Sequence, residues 1–178
     1  MCIFEVATER QGGVCMGITS PSYHEHQAAV VWVEADKLLT LWQNQTRVLG
    51  GNDKLPWGSP ETWSEDQKYN ERKLIFNKSF HGLNNPVELP FWMCAIEPVK
   101  KEVKVRRFFY SRVVGHTTHE ICYAAPTDGR TRTLWLLIAG ARRFPVEINN
   151  LKTAQQLYEY AGIAGNPPQT IQNIWSEI

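Results

Sequence analysis

The sequence predicts a single-domain α+β protein, and three observations carry that prediction. Short runs rich in β-branched and aromatic residues recur along the chain, as in Ala28-Ala-Val-Val-Trp-Val33 and Phe91–Ile96. Between them lie segments with apolar residues at helical spacing, such as Leu134, Leu137, Ile138 and Ala141. The chain has 178 residues, 43% hydrophobic and 21% charged, enough for one full core without metal or disulfide support. Strands interspersed with helices, in no strict alternation, argue for α+β.

Taken in order, residues 1–27 read as an N-terminal extension, 28–150 as the main domain, and 151–178 as helices packed on it. Ala28–Val33 is a strand, and Asp36–Trp42 a short helix or turn. Gly50–Pro60 holds three Gly and two Pro and is loop. Ser64–Phe76 reads as a helix with Ser64 as N-cap and Glu65 and Asp66 in its first turn. Pro86 and Pro90 frame a turn, followed by the strand Phe91–Ile96. Val103–Val114 and Thr118–Ala125 are expected as two strands joined at Gly115.

Thr127-Asp128-Gly129 is a turn that opens a helix, Gly140 lies near its end, and Phe144–Ile148 returns as a strand. Leu151–Tyr160 is amphipathic and Gly165-Asn-Pro-Pro168 breaks it. Ile171, Ile174, Trp175 and Ile178 form an apolar stripe that docks a last helix or meets a partner, with docking favoured.

Several classes are excluded. No apolar run approaches the ~18 residues of a membrane helix, so no membrane insertion is expected. Met1–Thr8 lacks a basic region, which argues against a secretory signal. Cys2, Cys15, Cys94 and Cys122 contain no Cys-x-x-Cys pair, and free buried thiols in a cytoplasmic protein are the expected reading. The net charge of +1 rules out a bulk polycation. Yet residues 100–147 hold ten Lys and Arg against four Asp and Glu, a net of +6.

The most informative stretch is Asp128-Gly-Arg-Thr-Arg132, where a strand ends and a helix begins. Unpaired N–H groups and the positive end of the helix dipole suit an anion there. Arg130 and Arg132 stand in the first turn, against the dipole, which a bound phosphate explains better than helix stability does. Asp128 is either the helix cap or a catalytic or metal-binding group. Glu88, in the Pro86–Pro90 loop, is a candidate acid or metal ligand, and Lys78 a candidate phosphate contact.

This stretch resembles the ParB/sulfiredoxin superfamily. The shared pattern is an Asp-Gly turn, an Arg, a helix, a Gly and a Pro-containing strand, filled here by Asp128, Gly129, Arg132, Gly140, Pro145 and Val146. Asn85–Pro90 resembles the family's Pro-Val loop. The reactive Cys of sulfiredoxins is missing, because Arg130 and Thr131 occupy the equivalent region, so sulfinic-acid chemistry has no nucleophile. About thirty residues follow Ile148, so the helix-turn-helix domain of partition proteins, and operator binding with it, is not expected here.

Asp128–Leu137 and Gly140-Ala141 are most similar to plasmid fertility-inhibition factors of the oncogenic-suppression type. The resemblance implies a plasmid-encoded protein that blocks conjugative DNA transfer through a type IV secretion system. It also implies ATP hydrolysis and DNA cleavage, that is, a metal-dependent DNase and ATPase. The implied roles are catalysis by Asp128, Arg132 and Glu88, phosphate binding by Gly129, Arg130, Thr131 and Lys78, and Mg2+ on Asp128 and Glu88. DNA, ATP and a secretion coupling protein are the implied partners. The alternatives are a non-enzymatic inhibitor that binds the coupling protein, or a nucleotide-regulated DNA clamp.

Other constellations read more plainly. His24 and His26 form a His-x-His pair without further ligands and are expected to be solvated. His116 and His119 are expected in a turn, with a place at the site rim as the alternative. Trp57 and Trp63 offer base stacking, with packing the stronger expectation.

Overall fold

The computed structural model describes residues 2–18, 27–49, 70, 86–107 and 110–177. The chain begins with a hairpin of β1 (Cys2–Thr8) and β2 (Gly12–Ile18), followed by β3 (Ala29–Glu34) and α1 (Ala35–Leu49). After β4 (Val87–Glu88) come two long strands, β5 (Phe91–Arg107) and β6 (Tyr110–Asp128). Then follow α2 (Arg130–Ile138), β7 (Arg143–Ile148), α3 (Leu151–Ala161), β8 (Gln169–Thr170) and α4 (Ile171–Ser176). This is an α+β fold with two sheets. A small sheet has the order β1-β2-β4, and a mixed five-stranded sheet has the order β6-β5-β7-β3-β8.

One core joins the sheets. Phe4 of β1 meets Trp32 of β3 edge-on, with ring centroids 6.2 Å apart, so the small sheet closes over the large one. Val6, Val14 and Met16 are fully buried in the same cluster as Val31, Phe144 and Leu157. Residues 2–18 are thus part of the main body rather than an appended extension. Strand β3 is buried on both sides at Ala29–Val31, which explains its unbroken apolar run. Helices α1 and α3 pack on each other and on the large sheet, and Trp42 of α1 stacks edge-on against Trp92 of β5 at 5.3 Å.

Local chemistry sets the helix ends. Asn150 caps α3 by accepting from the Thr153 N–H at 2.8 Å, and Thr170 caps α4 by accepting from Asn173 at 3.2 Å. The end of α2 is a Schellman turn: the Gly140 N–H reaches the Leu137 carbonyl at 3.1 Å and the Ala141 N–H reaches Leu136 at 2.9 Å. In α4, Ile171 and Ile174 are buried, so the C-terminal stripe docks on its own core. Trp175 packs against it, and Ile178 lies outside the described residues.

Four expectations change. Helix α1 continues past Trp42 to Leu49, because its next turn is held against β6, with Asn44 bonded to the Cys122 carbonyl at 3.0 Å and Gln45 buried. The Pro86–Pro90 turn contains a short strand that pairs in parallel with Met16 and Gly17. Gly115 does not join two strands. It lies inside β6 opposite Val103, next to a register shift, and the hairpin instead reverses between Arg107 and Tyr110. His116 and His119 are therefore strand residues, exposed on opposite sides of the ribbon, and not part of a turn. Of Ser64–Phe76, Asn70 alone is described and is helical; Gly50–Pro60, Trp57, Trp63, His24, His26 and Lys78 lie outside the described residues.

The β5–β6 hairpin is unusually long. Its root, Phe91–Ile96 against Ile121–Asp128, belongs to the sheet. Cys94 and Cys122 sit there on diagonal positions, with sulfurs 3.6 Å apart. The Cys94 thiol, hydrogen-bonded to Cys122 and buried, is pushed well above the ordinary thiol range, while the same bond lowers Cys122. The Asn44 side chain holds the Cys122 carbonyl at 3.0 Å. Beyond Glu97, the two strands run on as an exposed two-stranded arm.

Candidate functional site

The site forms where the chain crosses from one sheet to the other. Strand β4 belongs to the small sheet and β5 to the large one, and Leu89-Pro90 makes the crossing. The Leu89 N–H bonds Gly17 of the small sheet at 3.3 Å, and the Pro90 carbonyl accepts from Glu147 of the large sheet at 3.0 Å. The end of β6 comes alongside, because Asp128 is in register with Phe91. The Thr127 hydroxyl donates to the Phe91 carbonyl at 3.2 Å and fixes that approach.

Gly129 turns the chain from β6 into α2. Its φ is +76°, a left-handed conformation that disfavours side chains. It also has no room: a Cβ there would stand 2.7 Å from Pro90 Cα and 2.9 Å from Arg132 Nε. Gly129 is the N-cap residue, and no side chain caps the helix. Asp128 is therefore not the cap. Its carboxylate points instead to Arg132, one turn on.

Arg132 is the hub. One guanidinium nitrogen, Nη2, bonds the Asp128 carboxylate. The other, Nη1, donates to the carbonyls of Glu88 at 3.0 Å and Leu89 at 3.2 Å, and stands 3.7 Å from the Glu88 carboxylate. The Arg132 side chain is 12% exposed, while those of Asp128 and Glu88 are 76% and 64% exposed. A half-sunken cation thus carries two solvent-facing carboxylates and ties α2 to the sheet crossing. The planar fork of arginine suits this; a lysine could not serve both carboxylates and both carbonyls at once.

The structure thus brings together Asp128, Gly129, Arg132 and Glu88. Arg130 and Thr131 stand beside them in the first turn of α2, both half-buried. The Thr133 N–H takes the Gly129 carbonyl at 2.9 Å, so the amides of Arg130–Arg132 precede the first bond of the helix ladder. No group of three or more His, Cys, Asp or Glu side chains that could hold a metal occurs among the described residues. The two carboxylates are hard oxygen donors, the kind Mg2+ uses in ones and twos with waters and phosphate oxygens. Sequence reasoning missed the carbonyls of Glu88 and Leu89, which have no side-chain signature.

A cleft of about 550 Å³ lies elsewhere, lined by Glu9, Glu34, Asp36, Arg142 and Arg143 among others. Its lining includes Gly140 of the family pattern but none of Asp128, Gly129, Arg130, Thr131, Arg132 or Glu88. Arg142 is held there by Glu9 at 2.6 and 2.7 Å. Among the described residues, no helix is long and apolar enough to cross a membrane.

With this geometry in place, comparison with known proteins gives a consistent result. The crystal structure of an oncogenic suppression activity protein, described as a plasmid fertility inhibition factor, superposes with a TM-score of 0.67. The two share 19% identity, over 98% of this chain and 76% of that one, so the likeness is one of fold. No curated protein matches the sequence. The family model for plasmid fertility inhibition factors matches residues 30–162, a span that contains all of β3 but Ala29, the long hairpin, the Asp128–Arg132 site and α3. The chain belongs to the plasmid fertility inhibition factor family.

Proposed function

We propose that this family member acts in the cytoplasm and blocks conjugative DNA transfer through a type IV secretion system. It does so by hydrolysing ATP and cutting DNA at the Asp128–Arg132 turn, in a domain of ParB/sulfiredoxin kind. The observation that carries the reading is the pair of exposed carboxylates, Asp128 and Glu88, on one guanidinium at the mouth of α2. An incoming phosphate meets the amides at the start of α2, with Arg130 alongside to neutralise it. Gly129, with no side chain, lets β6 turn into α2 hard against Pro90 and so fixes where those amides stand. Asp128 or Glu88 accepts a proton from the attacking water. Mg2+, when bound by these carboxylates and by substrate phosphates, supplies charge neutralisation.

The test uses Asp128→Asn and Arg132→Ala, each assayed for ATP turnover and for nicking of plasmid DNA in Mg2+. Asp128 is exposed, so its replacement is not a folding lesion. Loss of both activities in Asp128→Asn, with an unchanged melt, is expected. Undiminished turnover rejects the assignment.

One observation favours a second reading, an inhibitor that binds the secretion coupling protein without chemistry. The Arg132 guanidinium is already bonded to groups of its own chain. In that case Asp128→Asn inhibits transfer as well as wild type. Of the two surfaces that reading offers, the basic hairpin and the Ile171–Ile178 stripe, the hairpin is the exposed one, since Ile171 and Ile174 are buried.

A further inference from the structure

The β5–β6 arm has no place in the chemistry above, yet it holds much of the chain's positive charge. From Val99 to His119 there are six Lys and Arg and one Glu, a net of +5 in a chain whose total is +1. The strands are paired throughout, from Val99↔His119 to Arg107↔Tyr110. At about 3.3 Å per residue the ribbon reaches roughly 27 Å beyond Val99. Nearly every described side chain on it is exposed, including Tyr110 at 62% and Val105 at 47%.

Strand alternation sorts these residues. Lys100, Glu102, Lys104 and Arg106 lie on one face, with Thr118, His116, Val113 and Ser111 opposite them. Lys101, Val103 and Val105 lie on the other, with Thr117, Gly115 and Arg112 opposite. The lone Glu102 is engaged by Lys104 at 2.9 Å. Both faces are therefore cationic. Protection of an exposed strand edge accounts for lysines, but not for the three arginines among these six cations, whose planar fork suits phosphate. A six-to-one excess, on strands where like charges repel, calls for an anionic partner.

We propose that the arm is a grip for duplex DNA, lying in a groove with a phosphate backbone on either side. The major groove admits a two-stranded ribbon. Phosphates flank a ribbon in a groove on both sides, which matches cations on both faces. A membrane or a flat protein surface meets one face only. Single strands are held on aromatic platforms, and the arm's Phe, Tyr and Trp residues fall in one run, Phe108-Phe109-Tyr110, with none along Val99–Arg107 or Ser111–Thr118. Strand β6 runs without a break from the arm to Asp128, about 27 Å from Glu120, so a gripped duplex leads toward the site. The inference rests on the DNA-acting reading and deepens it by naming the form of DNA and the surface that holds it.

The experiment measures binding of a 30-bp mixed-sequence duplex by fluorescence anisotropy in EDTA, so that binding is read apart from hydrolysis. Four phosphate contacts give a slope of log affinity against log salt of about −3.6, or roughly a 150-fold loss between 50 and 200 mM KCl. The variant Lys101→Gln, Lys104→Gln, Arg106→Gln, Arg112→Gln should bind about 100-fold more weakly at low salt, with a slope near zero. Lys101→Gln with Lys104→Gln, a milder change to one strand, should remove about half the slope. Swapping Lys for Arg and Arg for Lys at the four positions should preserve it. The proposal is overturned if the charge-removing variants bind as wild type does, or if wild type fails to bind duplex. It is also overturned if a single-stranded 30-mer or phosphatidylglycerol vesicles are bound more tightly than the duplex. Arm-dependent duplex binding in a protein that cuts no DNA in Mg2+ upholds the grip and removes the hydrolytic reading alone.

Discussion

Replacing Gly129 by Ala attacks the site through its backbone, and its cost divides into parts. The residue sits at φ +76°, where an L side chain costs roughly 1–2 kcal/mol. The new methyl also meets Pro90 Cα at 2.7 Å, backbone that cannot swing aside as a side-chain tip can. Moving Pro90 pulls on its hydrogen bond from Glu147 and on the crossing between sheets. Overpacking of this kind costs about 1–3 kcal/mol. Against both stands a gain of about 0.4–1 kcal/mol, because Ala restricts the unfolded chain. The net is a loss of about 1–4.5 kcal/mol. With a urea m-value of about 2 kcal/mol/M, the midpoint falls by roughly 0.5–2 M. Gly165→Ala is the control: its φ is +82° with nothing within 4 Å, so it bears the conformational part alone. The prediction is a gap of at least 1 kcal/mol between the two variants in urea unfolding. Equal stabilities, within about 0.5 kcal/mol, would refute the claim that contact with Pro90 dictates glycine here.

The Arg132 hub predicts an asymmetry in urea melts: Arg132→Ala should cost about 1–3 kcal/mol, since it strips two carbonyls of their donor in a half-buried place. Asp128→Asn should cost under about 1 kcal/mol, because an exposed ion pair is weak, and equal losses would contradict this division. The thiols predict the alkaline limb. The Cys94, Cys15 and Tyr123 protons are held more tightly in the folded state, so their contribution is intact below about pH 9 and is lost as pH rises above it. Cys122, lowered, acts in the opposite sense below that pH, and Cys94→Ala should flatten the fall in urea midpoint between pH 8 and 10.5.

Much of the fold could be read from local pattern. The apolar run at Ala28–Val33, the helix after Gly129 and its end at Gly140 follow from spacing and capping chemistry alone. What escaped was long-range. Nothing near Gly115 says that β6 passes through it. The pairing of Val103 with Gly115 and of Cys94 with Ala124 decides that, and places the reversal after Arg107. Helix α1 outran its expected end because its hold on β6 through Asn44 sustains it.

The same division applies to the site. The sequence alone placed Asp128, Gly129, Arg130 and Arg132 at one helix start, since residues one turn apart share a helix face. It also showed a positive excess between residues 100 and 147. Only the tertiary structure set Glu88, forty residues upstream of Asp128, on the same guanidinium, because a crossing between two sheets has no local signature. Only it divided the excess charge between a sunken arginine, held by carboxylates and carbonyls, and an exposed ribbon. A residue's charge is written in the chain; whether that charge is neutralised depends on which distant strand folds against it.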